Sequence, residues 1–198
     1  PEVPGKQSVE LTLPVSPNTT TLTVSSAGDY SLDAVSTWLM KKQALPDSDM
    51  QDFMTLAEKF GQDFQYRSHG KYKSPSGKYV FNYTPVIRDE NGNAVPTPMQ
   101  VDHVTAEISI DSTLVKHYTV QSIGTALLHE HTHYRYDTKD EIACDLNASK
   151  IGVNRGYMKT EILKAFTSVF EDTPVNTERT NAVYNFLSQY NVRLYDTF

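Results

Sequence analysis

Five residues of one short stretch, His129-Glu130-x-x-His133 followed by Glu141-x-x-x-Asp145, restrict the fold of this chain more than any other part of it. Two histidines four apart project from one face of an α-helix, because a turn takes about 3.6 residues, and they can then chelate a single ion. Glu130 sits beside them on the same helix. In helical projection from Val120, Ile123, Leu127 and Tyr134 gather on one side, whereas His129 and His133 fall on the other and would line a cleft. His131 falls inside the apolar stripe. Residues two apart point to different sides of a helix, so His131 cannot share an ion with His129 and is expected to pack in the core.

A second helix is expected to begin at Thr138, since Tyr136-Asp137-Thr138 supplies turn and cap residues and Glu141 follows three positions later. The two helices then form a tight antiparallel hairpin. A bend centred near Asp137 pairs His133 with Glu141 and His129 with Asp145. Glu141, Asp145, Ala148 and Gly152 share one stripe of this helix, where small residues allow close approach, while Ile142, Leu146 and Val153 form a separate apolar stripe. Glu141 is the favoured third ligand. Its competing role is to complete a capping box with Thr138, and Asp145, Asp140 and Asp137 compete for the ligand position. Cys144, the single cysteine, excludes an intramolecular disulfide; it lies beside the Glu141 stripe and reads as a small packing residue.

His129-Glu130-x-x-His133 with Glu141-x-x-x-Asp145 resembles the gluzincin metallopeptidases, the thermolysin-like class in which a Glu of a following helix completes a zinc site and an Asp one turn later orients a ligand histidine. It also resembles short HExxH proteins with an ExxAD-type second motif found in bacteria and their phages. The resemblance covers about residues 120–155. It implies that His129, His133 and Glu141 bind zinc, that Glu130 is the general base and that Asp145 stands behind a ligand histidine. The gap before the Glu is much shorter than in the thermolysin-like pattern, and no substrate-binding motif is recognisable.

The chemistry of such a site is consistent with the residue types. Three protein ligands leave zinc's fourth position for water, whose pKa falls towards about 7, and a carboxylate at hydrogen-bond range can take its proton and pass it to a leaving amine. An oxyanion donor is also required, for which His117, Tyr118 and Tyr157 are candidates. Asp145 is the residue opposite His129 that would fix its tautomer.

With 198 residues the chain is long enough for one domain with a real core. A hydrophobic share of 38%, 21% charged residues and a net charge of −6 describe a mildly acidic, soluble protein. No basic block interleaved with aromatics points to nucleic acid, and no apolar run approaches the ~20 residues of a membrane span. A cytoplasmic or virion-associated location is favoured over secretion.

Residues 1–28, rich in Pro, Ser, Thr and Val, alternate at Val9–Leu13 and Thr21–Val24 and read as a β arm or hairpin suited to a protein neighbour. Residues 29–198 form the zincin-like domain, expected as α+β: a small antiparallel sheet packed on a helical bundle. Ser31 caps a helix to about Ala44, and Asp47 or Ser48 caps another to about Phe64. Tyr66–Lys78 reads as a loop bearing a solvated His69. Lys78–Tyr83, Pro85–Ile87 and His103–Ile110 read as strands, and by the resemblance His103–Asp111 would hold an extended peptide. Lys159–Phe170 and Thr177–Tyr190 carry helical apolar stripes.

The leading expectation is a zinc-dependent metallopeptidase acting on a peptide or protein. The alternative is a structural or assembly protein, phage-associated in the resemblance, that keeps a metal site without turnover. A third reading, a closed structural site with His131 or Asp137 as fourth ligand, is disfavoured by the facing of His131.

Overall fold

A computed structural model describes residues 47–167 and 173–189. The expected β arm of residues 1–28 and the helix of residues 31–44 lie outside the described residues. The described chain is α+β, with a four-stranded sheet and five α-helices.

Helix α1 (Ser48–Gly61) starts where Asp47 Oδ1 accepts from the Met50 N–H at 2.8 Å, satisfying one otherwise orphaned helix-end donor. It buries Phe53, Leu56 and Phe60. Strand β1 (Gly70–Lys73) follows within the segment expected as a loop, and strand β2 (Val80–Thr84) pairs antiparallel to it. The stretch Pro85–Ile87 is not strand; the chain there makes one isolated bridge, Arg88 with Ala94, around an Asp89-centred turn. Strand β3 (Met99–Val101) and strand β4 (Glu107–Asp111) complete the sheet in the order β1-β2-β4-β3.

The sheet is mixed rather than antiparallel. β2 and β4 run parallel, with Phe81 opposite Ile108, and β3 pairs antiparallel to β4 on its far side. The excursion from Thr84 to Met99 explains this: it lets the chain pass beyond β2, turn back as β3, and bring β4 into the gap in the direction of β2. His103 sits in the β3–β4 turn, where Asp102 Oδ1 accepts from the N–H groups of Val104 and Thr105, and not in a strand as expected. β4 is paired on both sides, so no peptide can add to it. β3 is the edge strand next to the helices.

Alternation at period two buries Phe81 and Tyr83 of β2 and Ile108 and Ile110 of β4. These meet Phe53 and Phe60 of α1 edge-on, the Phe60–Phe81 and Phe60–Tyr83 ring centroids both at 5.5 Å. Helix α2 (Val120–Tyr136) lays Ile123, Leu127 and Leu128 into the same core, each fully buried and each contributing on the order of 2 kcal/mol by leaving water. Helices α3 (Glu141–Asn154) and α4 (Lys159–Thr167) pack on α2, and α5 (Pro174–Gln189) packs on α3 and α4, with Ile162, Phe166, Val183 and Leu187 buried. No helix among the described residues is long and apolar enough to cross a membrane.

Candidate metal centre

Helix α2 is pinned at both ends. Thr119 Oγ1 accepts from the Ser122 N–H at its start, and Asp137, in the left-handed region with φ 45°, ends it by donating to the carbonyls of His133 and Tyr134. That turn reverses the chain within a few residues and sets α3 antiparallel to α2. Asp140, rather than Thr138, caps α3: its Oδ1 accepts from the Ala143 N–H at 3.0 Å, while Thr138 Oγ1 accepts from the Asp140 N–H. The helix therefore starts at Glu141, not at Thr138 as expected, and the capping box that competed for Glu141 does not form. Glu141 is left to point elsewhere.

It points at the two histidines. His129 Nε2 and His133 Nε2 are 2.9 Å apart, and Glu141 reaches the first with Oε2 at 3.3 Å and the second with Oε1 at 3.4 Å. Among the described residues these three form a group whose ligand atoms all lie within 4.8 Å of one another, one that could hold a metal ion. His129 and His133 are 8% and 7% exposed, whereas the Glu141 side chain is 46% exposed, so the group opens to solvent on the α3 side.

The far nitrogens are also held. His133 Nδ1 lies 2.7 Å from the Thr138 carbonyl, with Cys144 Sγ at 3.4 Å, so that nitrogen carries a proton and Nε2 is the one left to bind an ion. His129 Nδ1 lies 2.8 Å from Asp145 Oδ1, although its N–H is not aimed straight at the oxygen. Asp145 is wholly buried, and Arg179 of α5 answers it with two bonds, Nε to Oδ2 at 2.8 Å and an Nη2 contact to Oδ1 at 2.9 Å. The same Nη2 is 3.0 Å from Glu141 Oε2.

The charges follow from these neighbours. Burial presses His129 towards neutrality, but Asp145 and Glu141 outweigh it and raise its pKa. The Cys144 sulfur and the Glu141 carboxylate hold His133 above its ordinary range despite its burial. The two imidazoles hold the Glu141 carboxyl well below the usual carboxylate range, with Arg179 adding to the effect. Without a metal the group is thus a proton-sharing cluster, in which bound protons would compete with a cation.

Glu130 does not join the three. Its Oε2 accepts from the Val101 N–H of the edge strand at 2.9 Å, and burial drives its carboxyl above the usual range more strongly than the two imidazoles draw it down. His131 faces the core as expected, 1% exposed, its ring 4.1 Å from that of Phe53 and its Nε2 3.1 Å from the Tyr79 hydroxyl. Asp137 is almost fully exposed and stands apart from the three, near His103 Nδ1 at 3.5 Å.

The proposed oxyanion donors are not brought to the site. The Tyr118 hydroxyl donates to the Ala165 carbonyl in the core. Tyr157 is wedged against Gly124 and Gly152, where a Cβ on Gly124 would come within 2.7 Å of its hydroxyl. His117 ends the short 3-10 turn Val115–His117 that precedes α2. Two residues near the site escaped sequence reasoning. His103 stands in the turn after β3 with its ring centroid 6.3 Å from that of His133, a neighbour no local pattern signals. Arg179 had a signal: it lies four residues before Val183 and eight before Leu187, a cation at the head of an apolar stripe, and such a cation needs a buried carboxylate.

Comparison of the chain with known protein families, curated proteins and solved structures finds no match.

Proposed function

We propose that this protein is a zinc-dependent metallopeptidase of gluzincin type, with His129, His133 and Glu141 as ligands and Glu130 as general base. The observation that carries the proposal is the convergence of two imidazole nitrogens and one carboxylate from two antiparallel helices, with a second carboxylate, Glu130, between the histidines in sequence and outside the ligand set. Tetrahedral zinc with ligand bonds of about 2.0–2.2 Å needs donor atoms about 3.3–3.6 Å apart; the two Nε2 atoms are 2.9 Å apart, and each has a different Glu141 oxygen near that spacing, Oε2 at 3.3 Å from His129 and Oε1 at 3.4 Å from His133. A donor set of two histidines and one glutamate is also the set that catalytic zinc uses when one position stays open.

When bound, zinc supplies a polarised carbonyl and a water of lowered pKa. The chain's own residues do the rest. The Thr138 carbonyl holds the His133 ring and Asp145 Oδ1 stands 2.8 Å from His129 Nδ1, which would leave both Nε2 atoms to hold the ion. Glu130, whose carboxyl burial pushes above the usual carboxylate range, would take a proton from that water and return it to the departing amine. Edge strand β3, in place of the segment His103–Asp111, offers backbone groups to an extended peptide beside Glu130.

One observation favours the second reading, a metal site in an assembly protein without turnover: the Glu130 carboxylate is already engaged by the Val101 N–H. Peptide-pool cleavage by wild type and by Glu130→Gln separates the two. The proposal predicts that the variant keeps about one zinc per chain and loses cleavage by at least about 10²–10⁴-fold. Zinc retained in both with no cleavage by wild type contradicts the peptidase reading, and equal cleavage by both contradicts the role of Glu130.

A further inference from the structure

We infer that Arg179 is the positioning residue of this metal centre: a guanidinium from α5 that ties the ligand Glu141 and the histidine partner Asp145 into one unit. The inference rests on the reading of His129, His133 and Glu141 as metal ligands.

Arg179 comes from the last described helix, far in sequence from the HExxH segment, yet its side chain is only 12% exposed and its donors face two carboxylates at once. It grips Asp145 through Nε and Nη2, each on a different oxygen, in the fork geometry that only an arginine can offer. Asp145 is wholly buried, and the Oδ1 that takes the Nη2 contact also lies 2.8 Å from His129 Nδ1. Arg179 therefore sets the orientation of Asp145, and through it the tilt of the His129 ring. The same Nη2 stands 3.0 Å from Glu141 Oε2, the oxygen that faces His129 Nε2.

The electrostatics point the same way. Glu130, Glu141 and Asp145 bring three carboxyl groups to one site, two of them within reach of His129. A cation with no proton to lose under ordinary conditions offsets their repulsion before any metal enters, and leaves both carboxylates aimed. Glu141 needs this more than the histidines do. They are buried in helix packing, while its side chain is nearly half exposed. The second carboxylate partner also distinguishes Arg179 from a simple buried counter-ion for Asp145, which would need only the first pair of bonds.

The test is zinc affinity of the full chain, measured by competition with a chromophoric chelator for wild type, Arg179→Met, Arg179→Lys, Asp145→Asn and the Arg179→Met/Asp145→Asn double variant. Wild type against His129→Ala is measured in parallel, so that absence of a zinc site is recognised separately. Loss of an outer partner of a metal ligand weakens binding by about 10–100-fold, and Arg179→Met is expected in that range. Arg179→Lys, a point charge without the fork, should recover part of the loss. The double variant should bind no more than about threefold worse than the weaker single one, because the two residues act as one unit.

A merely structural arginine behaves otherwise. It lowers the fraction of chain that binds and leaves the dissociation constant of the folded fraction alone. If Arg179→Met does not fold, Arg179→Lys carries the decision, since a wild-type dissociation constant in either folded variant overturns the inference. Fully additive losses in the double variant overturn it as well. Failure of wild type to bind zinc sinks the underlying ligand reading instead.

Discussion

Helix α2 carries three histidines at alternate positions, and the middle one lives in the opposite environment to its neighbours. His131 stacks on Phe53 and meets the Tyr79 hydroxyl, whose other contact is Asp49 Oδ2 at 2.7 Å. Burial lowers its pKa to about 4, so it is neutral under ordinary conditions. His129 and His133 are also buried, yet their pKa values are raised, because groups of α3 stand against them: Asp145 and Glu141 at His129, and the Cys144 sulfur and Glu141 at His133. Burial alone therefore does not decide what a histidine does; the element packed against it does. An aromatic core makes the imidazole a flat packing surface, and a facing helix with acids makes it a ligand.

The largest expected effects break that contrast by exchange. His129→Ala or His133→Ala should abolish stoichiometric zinc in metal analysis of the folded protein. His131→Ala should do the reverse: it keeps about one zinc per chain and loses about 3 kcal/mol in urea unfolding, as truncation of a fully packed ring does. Zinc lost in His131→Ala at full folding would show that the two faces are not separate.

Acid sharpens the comparison. Because the folded pKa of His131 lies near 4 and its ordinary value is 6.5, the unfolded chain takes up its proton first as pH falls. The stability this provides is complete above about pH 6.5 and is lost progressively towards pH 4, an effect on the order of 3 kcal/mol. In chelator-treated protein, the stability of wild type minus that of His131→Phe should fall across that window. A flat difference would mean that His131 titrates as it does in the unfolded chain.

The smallest effect concerns how Glu141 is released to the site. Asp140→Ala should cost about 1 kcal/mol of stability through the lost cap, and Thr138→Ala much less, both read from thermal unfolding. The opposite order would restore the capping-box role to Thr138 and its partner Glu141.

The part of this architecture legible in the sequence is the part fixed by local periodicity. The facing of His129 and His133, the inward turn of His131 and the pairing of His129 with Asp145 all follow from 3.6 residues per turn and a short bend. Thr138 was misleading because Asp140 offers a competing cap two residues later, and the hydrogen-bond choice between them depends on the bend itself. The parallel pairing of β2 with β4 was not legible, since no local pattern records which strands become neighbours after a long excursion. His103 belongs to the same class, its closeness to His133 set by the turn after β3. Arg179 lies between the two: its place on an apolar stripe marks it as paired, but only the docking of α5 on α3 names Asp145 and Glu141 as its partners.

The measurement that bears most directly on the metal centre is zinc-edge X-ray absorption of the zinc-loaded protein. Two imidazole ligands at about 2.0–2.1 Å and oxygen ligands at about 2.0–2.2 Å, with no sulfur, are the predicted result. A sulfur scatterer at about 2.3 Å would instead put Cys144 on the metal, and that, or zinc held by fewer than two imidazoles, would contradict the assignment of His129, His133 and Glu141.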